Sequence, residues 1–222
     1  MDDKSIDIVV TSPPYNMNLR IMNGKYCSRQ VTKEFSTKYN GFSDNLPIEE
    51  FYELHSSILK ELIRVGDIVF YNIQIVTGSK RAFFKMIGDF SDNLKDIIVW
   101  DKGHGQPAMQ SNVLNSRTEL LLIFEDEEKA ISRMFSKCNF GRGTEPNIWE
   151  IPRGKRIKGH GATFPEQLVE RILRRFGADG DTVYDPFMGT GTTGKVAKEM
   201  NMNFIGSEIS EEYFNIAKER IN

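Results

Sequence analysis

With 222 residues and a mass of 25.4 kDa, the chain is long enough for one large α/β domain and too short for two full ones. An apolar fraction of 39% supplies a sizeable core, and the 27% of charged residues are spread along the chain, which argues against wholesale disorder. The longest apolar run, Leu120 to Phe124, is far too short to span a bilayer, and the cysteines Cys27 and Cys138 form no CxxC pair. These features argue against a membrane span, a disulfide framework or a zinc cluster. No signal-peptide pattern opens the chain, so a cytoplasmic protein is expected.

The net charge of −2 and the pI near 6.0 do not advertise a nucleic-acid binder as an average. The positive charge is nevertheless local. Thr11 to Asn40 carries five Lys or Arg against the single acid Glu34, and Lys129 to His160 carries eight against two, Glu145 and Glu150. Acids gather at Glu125-Asp126-Glu127-Glu128. Each run alone reads as a solvated face, and gains meaning only if it flanks a site.

In chain order, Ile6 to Val10 is a β-rich run halted by Pro13-Pro14. Pro47 to Val65 is a helix, with Ile48, Phe51, Tyr52, His55, Ile58, Leu59 and Leu62 at helical spacing, Pro47 in its first turn and Gly66 at its end. Asp67 to Ile73 reads as a buried strand, Gly78 to Phe90 as a helix, and Ile97 to Trp100 and Leu120 to Phe124 as strands. Phe164 to Phe176 is an amphipathic helix stopped by Gly177. The strand Thr182 to Tyr184, helix Thr192 to Met200, strand Asn203 to Gly206 and helix Glu211 to Ile221 complete the chain. This alternation is the pattern of a mostly parallel, doubly wound sheet in a single domain. Asn16 to Asn45 and Cys138 to Gly161 have no period, are too long for ordinary connectors, and largely coincide with the basic segments.

Two turns carry chemistry. Asp185-Pro186-Phe187-Met188-Gly189-Thr190-Gly191-Thr192-Thr193-Gly194-Lys195 follows a strand and opens a helix, where glycines let a ligand approach the backbone. The spacing Gly189-x-Gly191-x-x-Gly194, with Glu208 downstream, also fits a dinucleotide fingerprint, which keeps a nicotinamide oxidoreductase open as a distant reading. A phosphate loop is set aside because Val196 stands where that motif needs Ser or Thr. A turn beginning with a carboxylate suits an ammonium group better than a pyrophosphate. A second acid on the next strand, Glu208, suits ribose hydroxyls. A nucleoside bearing an amino acid satisfies both, and S-adenosylmethionine is that molecule. The bland reading is a tight structural turn beside a surface acid.

Thr11-Ser12-Pro13-Pro14-Tyr15-Asn16 also follows a strand. Two prolines fix successive φ angles and leave carbonyls, including that of Pro13, free to accept hydrogen bonds. Ser12 adds a hydroxyl and Tyr15 a flat ring, a set that suits a planar group carrying an NH₂. Outside a strand context the same pattern is more often a plain turn or a polyproline ligand.

Together, the two motifs resemble the catalytic and cofactor motifs of the amino-group DNA methyltransferases. The catalytic motif comes first here, which is the order of the β group. The resemblance covers nearly the whole chain and includes His160-Gly161-Ala162-Thr163-Phe164-Pro165-Glu166 before the cofactor strand and Phe204-Ile205-Gly206-Ser207-Glu208 at the ribose-binding strand. It implies a site-specific enzyme that moves a methyl group from S-adenosylmethionine to the exocyclic amine of a base flipped out of double-stranded DNA. Ser12, Pro13, Pro14 and Tyr15 would be catalytic. Asp185, Phe187, Gly189, Gly191, Thr192 and Glu208 would hold the cofactor. No metal is implied. Within the family, Ser before Pro-Pro-Tyr is usual for cytosine N4, and Asp or Asn for adenine N6, so cytosine N4 is favoured and adenine N6 is the alternative.

Members usually carry a strand before the catalytic one, whereas this chain reaches the catalytic strand almost directly from Met1-Asp2-Asp3-Lys4. The expectation is a sheet lacking that first edge strand and a weaker hold on the cofactor. A catalytically weak or silent DNA-binding relative is therefore the competing reading. Residues 129–160 are read as an inserted DNA-recognition region, with Arg153, Lys155, Arg156 and Lys158 as candidate DNA contacts. The small size of that region suggests a homodimer sharing the DNA. His55, His104 and His160 show no ligand spacing, and Trp100 and Trp149 read as packing residues.

Overall fold

The computed structural model describes residues 1–17, 19–22, 25–28, 44–105, 111–154 and 164–222. In chain order the elements are β1 (Ile6–Thr11), β2 (Leu19–Met22), β3 (Lys25–Ser28), α1 (Ile48–Val65), β4 (Gly66–Ile73), α2 (Lys80–Asp89), β5 (Leu94–Asp101) and β6 (Thr118–Phe124). They continue as α3 (Glu127–Ala130), β7 (Ile148–Glu150), α4 (Glu166–Phe176), β8 (Thr182–Asp185), α5 (Thr192–Glu199), β9 (Asn203–Gly206) and α6 (Glu211–Ile221). Seven strands form one sheet in the order β7-β5-β6-β4-β1-β8-β9, and β2 and β3 pair separately as an antiparallel hairpin. The strands run parallel except β6, which is antiparallel to both β4 and β5.

The sheet is buried on both faces, so its strands read as continuous apolar runs rather than alternating ones. Ile8 and Val10 of β1, Ile68 and Phe70 of β4, and Leu121 and Ile123 of β6 pack beneath α4 and α5. Val9, Val69, Tyr71, Leu122 and Phe124 fill the other face beneath α1 and α2. Helix α4 shows how patterning fixes a position. Leu168, Val169, Ile172, Leu173 and Phe176 are all buried, while Gly177 ends the helix with its N–H on the Leu173 carbonyl at 2.8 Å. Burying each such side chain contributes roughly 1.5–3 kcal/mol.

The sequence reading places the longer helices and the strands outside the aperiodic stretches, but it misses the one-turn helix α3 and the short strands within those stretches. β2 and β3 lie in the first, and β7 in the second, where Trp149 is fully buried against the core. Three residues are too few to show a period. The edge of the sheet beyond β8 is β9, hydrogen-bonded to it in parallel. No described helix is long and apolar enough to cross a membrane.

The topology sets the site. From β1 the chain crosses by α1 to β4 on one side, and from β8 it crosses by α5 to β9 on the other. β1 and β8 are neighbours whose following loops diverge, so a crevice opens beyond their carboxyl ends, the usual ligand position in such sheets.

Candidate active site

Both predicted turns leave the sheet at this switch point. Thr11 ends β1 and Asp185 ends β8, and the Thr11 hydroxyl donates to Asp185 Oδ1 at 2.8 Å. The Thr193 hydroxyl donates to Oδ2 at 2.7 Å, and the Phe187 N–H donates to Oδ1 at 3.1 Å. Asp185 is buried, and desolvation pushes its carboxyl up to about 6, helped by the charge of Glu208 and opposed by the Thr193, Thr11 and Phe187 donors. Asp185 thus braces the turn from inside. An ionised carboxylate has about four acceptor sites, so three donors leave capacity for one more.

Glu208 is half-buried. Its Oε2 accepts the Gly189 N–H at 3.0 Å and its Oε1 accepts the Ser210 N–H at 2.8 Å. Gly191 has φ 78°, a conformation that costs a side chain roughly 1–2 kcal/mol, and a Cβ there would stand 2.9 Å from Ala217 Cβ. The glycine is therefore required both by the backbone and by α6 behind it. Arg220 of α6 supports the turn by donating to the Thr190 carbonyl at 2.5 Å and lies 3.5 Å from the buried Thr192 hydroxyl. The chemistry of this cradle fits a cationic nucleoside and not a pyrophosphate. The half-exposed carboxylate of Glu208 borders it, that of Asp185 lies buried within the turn, and the Gly189 amide that a dinucleotide fold would present to phosphate is taken by Glu208.

The Ser12-Pro13-Pro14-Tyr15 turn is held just as firmly. Pro13 and Tyr15 are buried, Ser12 and Pro14 half-buried. Asn16, at φ 57°, closes the turn; its N–H donates to Asp44 Oδ1 at 2.7 Å, and its Nδ2 donates to the Leu46 and Gly78 carbonyls at 2.9 Å each. Gly78 permits this approach, since a Cβ would lie 2.2 Å from the Asn16 carbonyl oxygen.

Beneath the turn lies a polar cluster that sequence reasoning missed. Ser12 Oγ and Tyr15 Oη are 2.6 Å apart. The Tyr15 hydroxyl donates to Glu119 Oε2 at 3.3 Å. Asn72 Nδ2 donates to Tyr15 Oη and to the same carboxylate oxygen, each at 2.6 Å. Lys102 pairs with Glu119 Oε1 at 2.9 Å, with the two side chains only 1% and 11% exposed. Because β6 is reversed, Glu119 at its start meets the carboxyl ends of β4 and β5. Nearby, Arg117 pairs with Asp101, holding that carboxyl below its ordinary range.

The proposed DNA contacts divide. Arg153 is exposed just beyond β7, whose following residue Ile151 donates its N–H to the Asp101 carbonyl at 2.9 Å, on the rim that carries both turns. Lys155, Arg156, Lys158 and His160 lie outside the described residues. The earlier part of residues 129–160 sits at the opposite rim. Lys129 reaches Asp67 near the start of β4 at 3.4 Å, and Lys137 pairs with Asp181 before β8 at 2.5 Å and lies 3.5 Å from Asp7. Local charge could not reveal this, because it carries no information about which end of a sheet a loop covers. No group of acids, His and Cys that could hold a metal occurs among the described residues.

A family model described as DNA methylase matches residues 6–219. The chain is 27% identical over 242 residues to the Type II methyltransferase M.HpaI of Haemophilus parainfluenzae, spanning 100% of this chain and 70% of that protein. It is 30% identical over 256 residues to the orphan methyltransferase M.BamHII of Bacillus amyloliquefaciens, spanning 99% and 89%. Among solved structures, the cytosine-N4-specific PvuII DNA methyltransferase superposes with a TM-score of 0.72 at 18% identity, covering 100% of this chain and 81% of that one. The M1.HpyAVI–SAM complex superposes at 0.60 with 22% identity, covering 97% and 89%. The paired turns, the order of the sheet and the match over residues 6–219 lead to one assignment: this chain belongs to the N6/N4 DNA methylase family of S-adenosylmethionine-dependent methyltransferases.

Proposed function

We propose that the chain methylates the N4 amine of cytosine in double-stranded DNA, with the N6 amine of adenine as the alternative. The observation that carries this reading is the Ser12-Pro13-Pro14-Tyr15 turn fastened to the cofactor turn through Thr11 and Asp185. Serine, rather than Asp or Asn, at the head of that turn favours cytosine.

When bound, the cofactor supplies an electrophilic methyl group on sulfur. Asp185 and the turn from Phe187 to Thr192 would receive its methionine end, and Glu208 its ribose. An exocyclic amine is a poor nucleophile because its lone pair is delocalised into the ring. Ser12 Oγ and the Pro13 carbonyl would each accept one N–H, which favours a pyramidal nitrogen with its lone pair directed at the methyl carbon. Tyr15 would stack on the extruded base. The N–CH₃ bond would form as the S–CH₃ bond breaks, with a neutral thioether leaving and the surplus amine proton lost to solvent; no side chain need form a covalent bond, so positioning and electrostatics account for the rate. Arg153 and the basic residues after it, Lys155, Arg156 and Lys158, would contact the DNA backbone, and a homodimer would enlarge this small contact region.

The test is nucleoside mass spectrometry of DNA incubated with the protein and methyl-labelled S-adenosylmethionine, with sequencing to map the modified site. Label on cytosine N4 is expected. Label on adenine N6 would replace cytosine by adenine in this reading. DNA binding with neither label nor cofactor binding by calorimetry would leave the silent-relative reading.

A further inference from the structure

The cluster beneath the catalytic turn has a direction. An ionised carboxylate accepts hydrogen bonds and donates none, whereas a tyrosine hydroxyl has one hydrogen to give. Glu119, ion-paired to Lys102, offers Oε2 to Tyr15 at 3.3 Å, and Asn72 directs its NH₂ at both Tyr15 and that carboxylate oxygen. Only the nitrogen end of the Asn72 amide can face the carboxylate. If Tyr15 gives its hydrogen to Glu119, its oxygen can only accept from Ser12, 2.6 Å away. The Ser12 hydrogen then points inward, and its lone pairs point out of the turn.

We propose that Lys102, Glu119 and Asn72 are positioning residues that, through Tyr15, hold Ser12 as a hydrogen-bond acceptor and so make the site selective for an amine over a carbonyl at the target position. The proposal rests on the reading of Ser12 as acceptor for the base amine. In the opposite arrangement Tyr15 donates to Ser12, and the Ser12 hydrogen points outward into the N–H of the incoming base. The 2.6 Å Ser12–Tyr15 distance is compatible with either direction, and the 3.3 Å contact of Tyr15 with an oxygen that can only accept favours the first. The cluster thus does for hydrogen-bond polarity what the two prolines do for backbone shape. No proton is transferred in this arrangement; it fixes rotors before the base arrives.

The polarity is open to reversal. Glu119→Gln keeps the shape but can present an NH₂ to Tyr15, turning Tyr15 towards Ser12. Tyr15→Phe keeps the ring and removes the connection. On the mapped site, Glu119→Gln is expected to lower kcat by about 30-fold, and Tyr15→Phe by about fivefold, because a misdirected donor costs more than a missing one. The double variant should return to the level of Tyr15→Phe, since Glu119 has nothing to act through once the hydroxyl is gone. A second readout is binding. DNA with the target amine replaced by a carbonyl should bind the wild type about tenfold less tightly than the amine-bearing site, and Glu119→Gln should lose this preference. Cofactor affinity should stay unchanged in every variant.

Additive losses in the double variant, or an intact amine preference in Glu119→Gln, would refute the relay. If Glu119→Gln does not fold, Tyr15→Phe decides alone: unchanged kcat and unchanged preference overturn the proposal. Ser12→Ala separates the two levels. If it leaves kcat intact, the acceptor reading itself fails; if it lowers kcat while the Glu119 and Tyr15 variants do not, only the relay fails.

Discussion

The Thr11 hydroxyl and the Asp185 carboxylate, 174 positions apart in the chain, share a buried hydrogen bond of 2.8 Å that joins the end of β1 to the end of β8. Parallel pairing of Ile8 with Val183 and Val9 with Tyr184 brings the two strands side by side, and the Thr11–Asp185 contact ties the ends from which their turns leave. The first prediction follows from it. Thr11→Val removes one of three donors to a buried acid and is expected to cost about 1–3 kcal/mol of stability. It should also weaken S-adenosylmethionine binding, whereas Thr11→Ser retains both. Urea unfolding and calorimetric titration of the cofactor check the pair.

Gly191 offers a steric test. Gly191→Ala adds a methyl group to a residue at φ 78° and places it against Ala217. The expected loss is about 2–4 kcal/mol from left-handed strain and overpacking together. Adding Ala217→Gly removes the closest atom and should recover part of the cofactor affinity, despite the cost of a helical glycine. Equal affinities in the single and double variants would show that the α6 contact is irrelevant to the cradle.

His55 gives a pH dependence. It lies among Phe51, Phe83 and Tyr71, with Nδ1 2.6 Å from the Tyr71 hydroxyl, and burial lowers its pKa from 6.5 to about 3. The folded state therefore holds a neutral ring while the unfolded chain takes up a proton below pH 6.5. Its contribution is fully present above 6.5 and is lost as pH falls from there towards 3, at up to about 1.4 kcal/mol per pH unit. His55→Phe should flatten this part of the urea-stability profile relative to wild type. Parallel profiles for the two proteins between pH 6.5 and 4 would contradict the assignment.

Arg153 tests whether the rim beyond β7 contacts DNA. Arg153→Ala is expected to weaken DNA binding uniformly across sequences and to reduce the slope of log K against log salt by about one, the signature of one lost phosphate contact. Lys137→Ala, on the opposite rim, should leave that slope unchanged and lower stability only slightly, since its partners are partly exposed. Fluorescence anisotropy over a salt series measures both.

Long amphipathic helices and the two turns were legible because their signals are local. Leu168 to Phe176 shows its buried face by spacing alone, and Pro13-Pro14 and the Gly189-x-Gly191 turn announce unusual backbone. The Asn72–Glu119–Lys102 cluster was not legible. Each member is an unremarkable polar residue near a strand end, and Tyr15 lies 57 positions from Asn72 and 104 from Glu119. Glu125 failed differently. It heads an acidic run that reads as a solvated face, yet it pairs with Lys95 at 2.9 Å and both side chains are 1% exposed. Burial of a charge depends on a partner from another strand, which no local pattern encodes. β7 escaped for want of length, and the end of the sheet that each basic stretch covers is a property of topology alone.

The Thr11–Asp185 contact also has a consequence for biosynthesis. β1 can pair with β4 once residues 66–73 have been made, but its other neighbour, β8, comes only at residues 182–185, and the glycine-rich turn follows. Pairings so distant in sequence form late, after much chain entropy has been lost. A nascent chain therefore carries the Ser12–Tyr15 turn before the Asp185 turn exists to meet it, and the two can be joined only after residue 185 has been made.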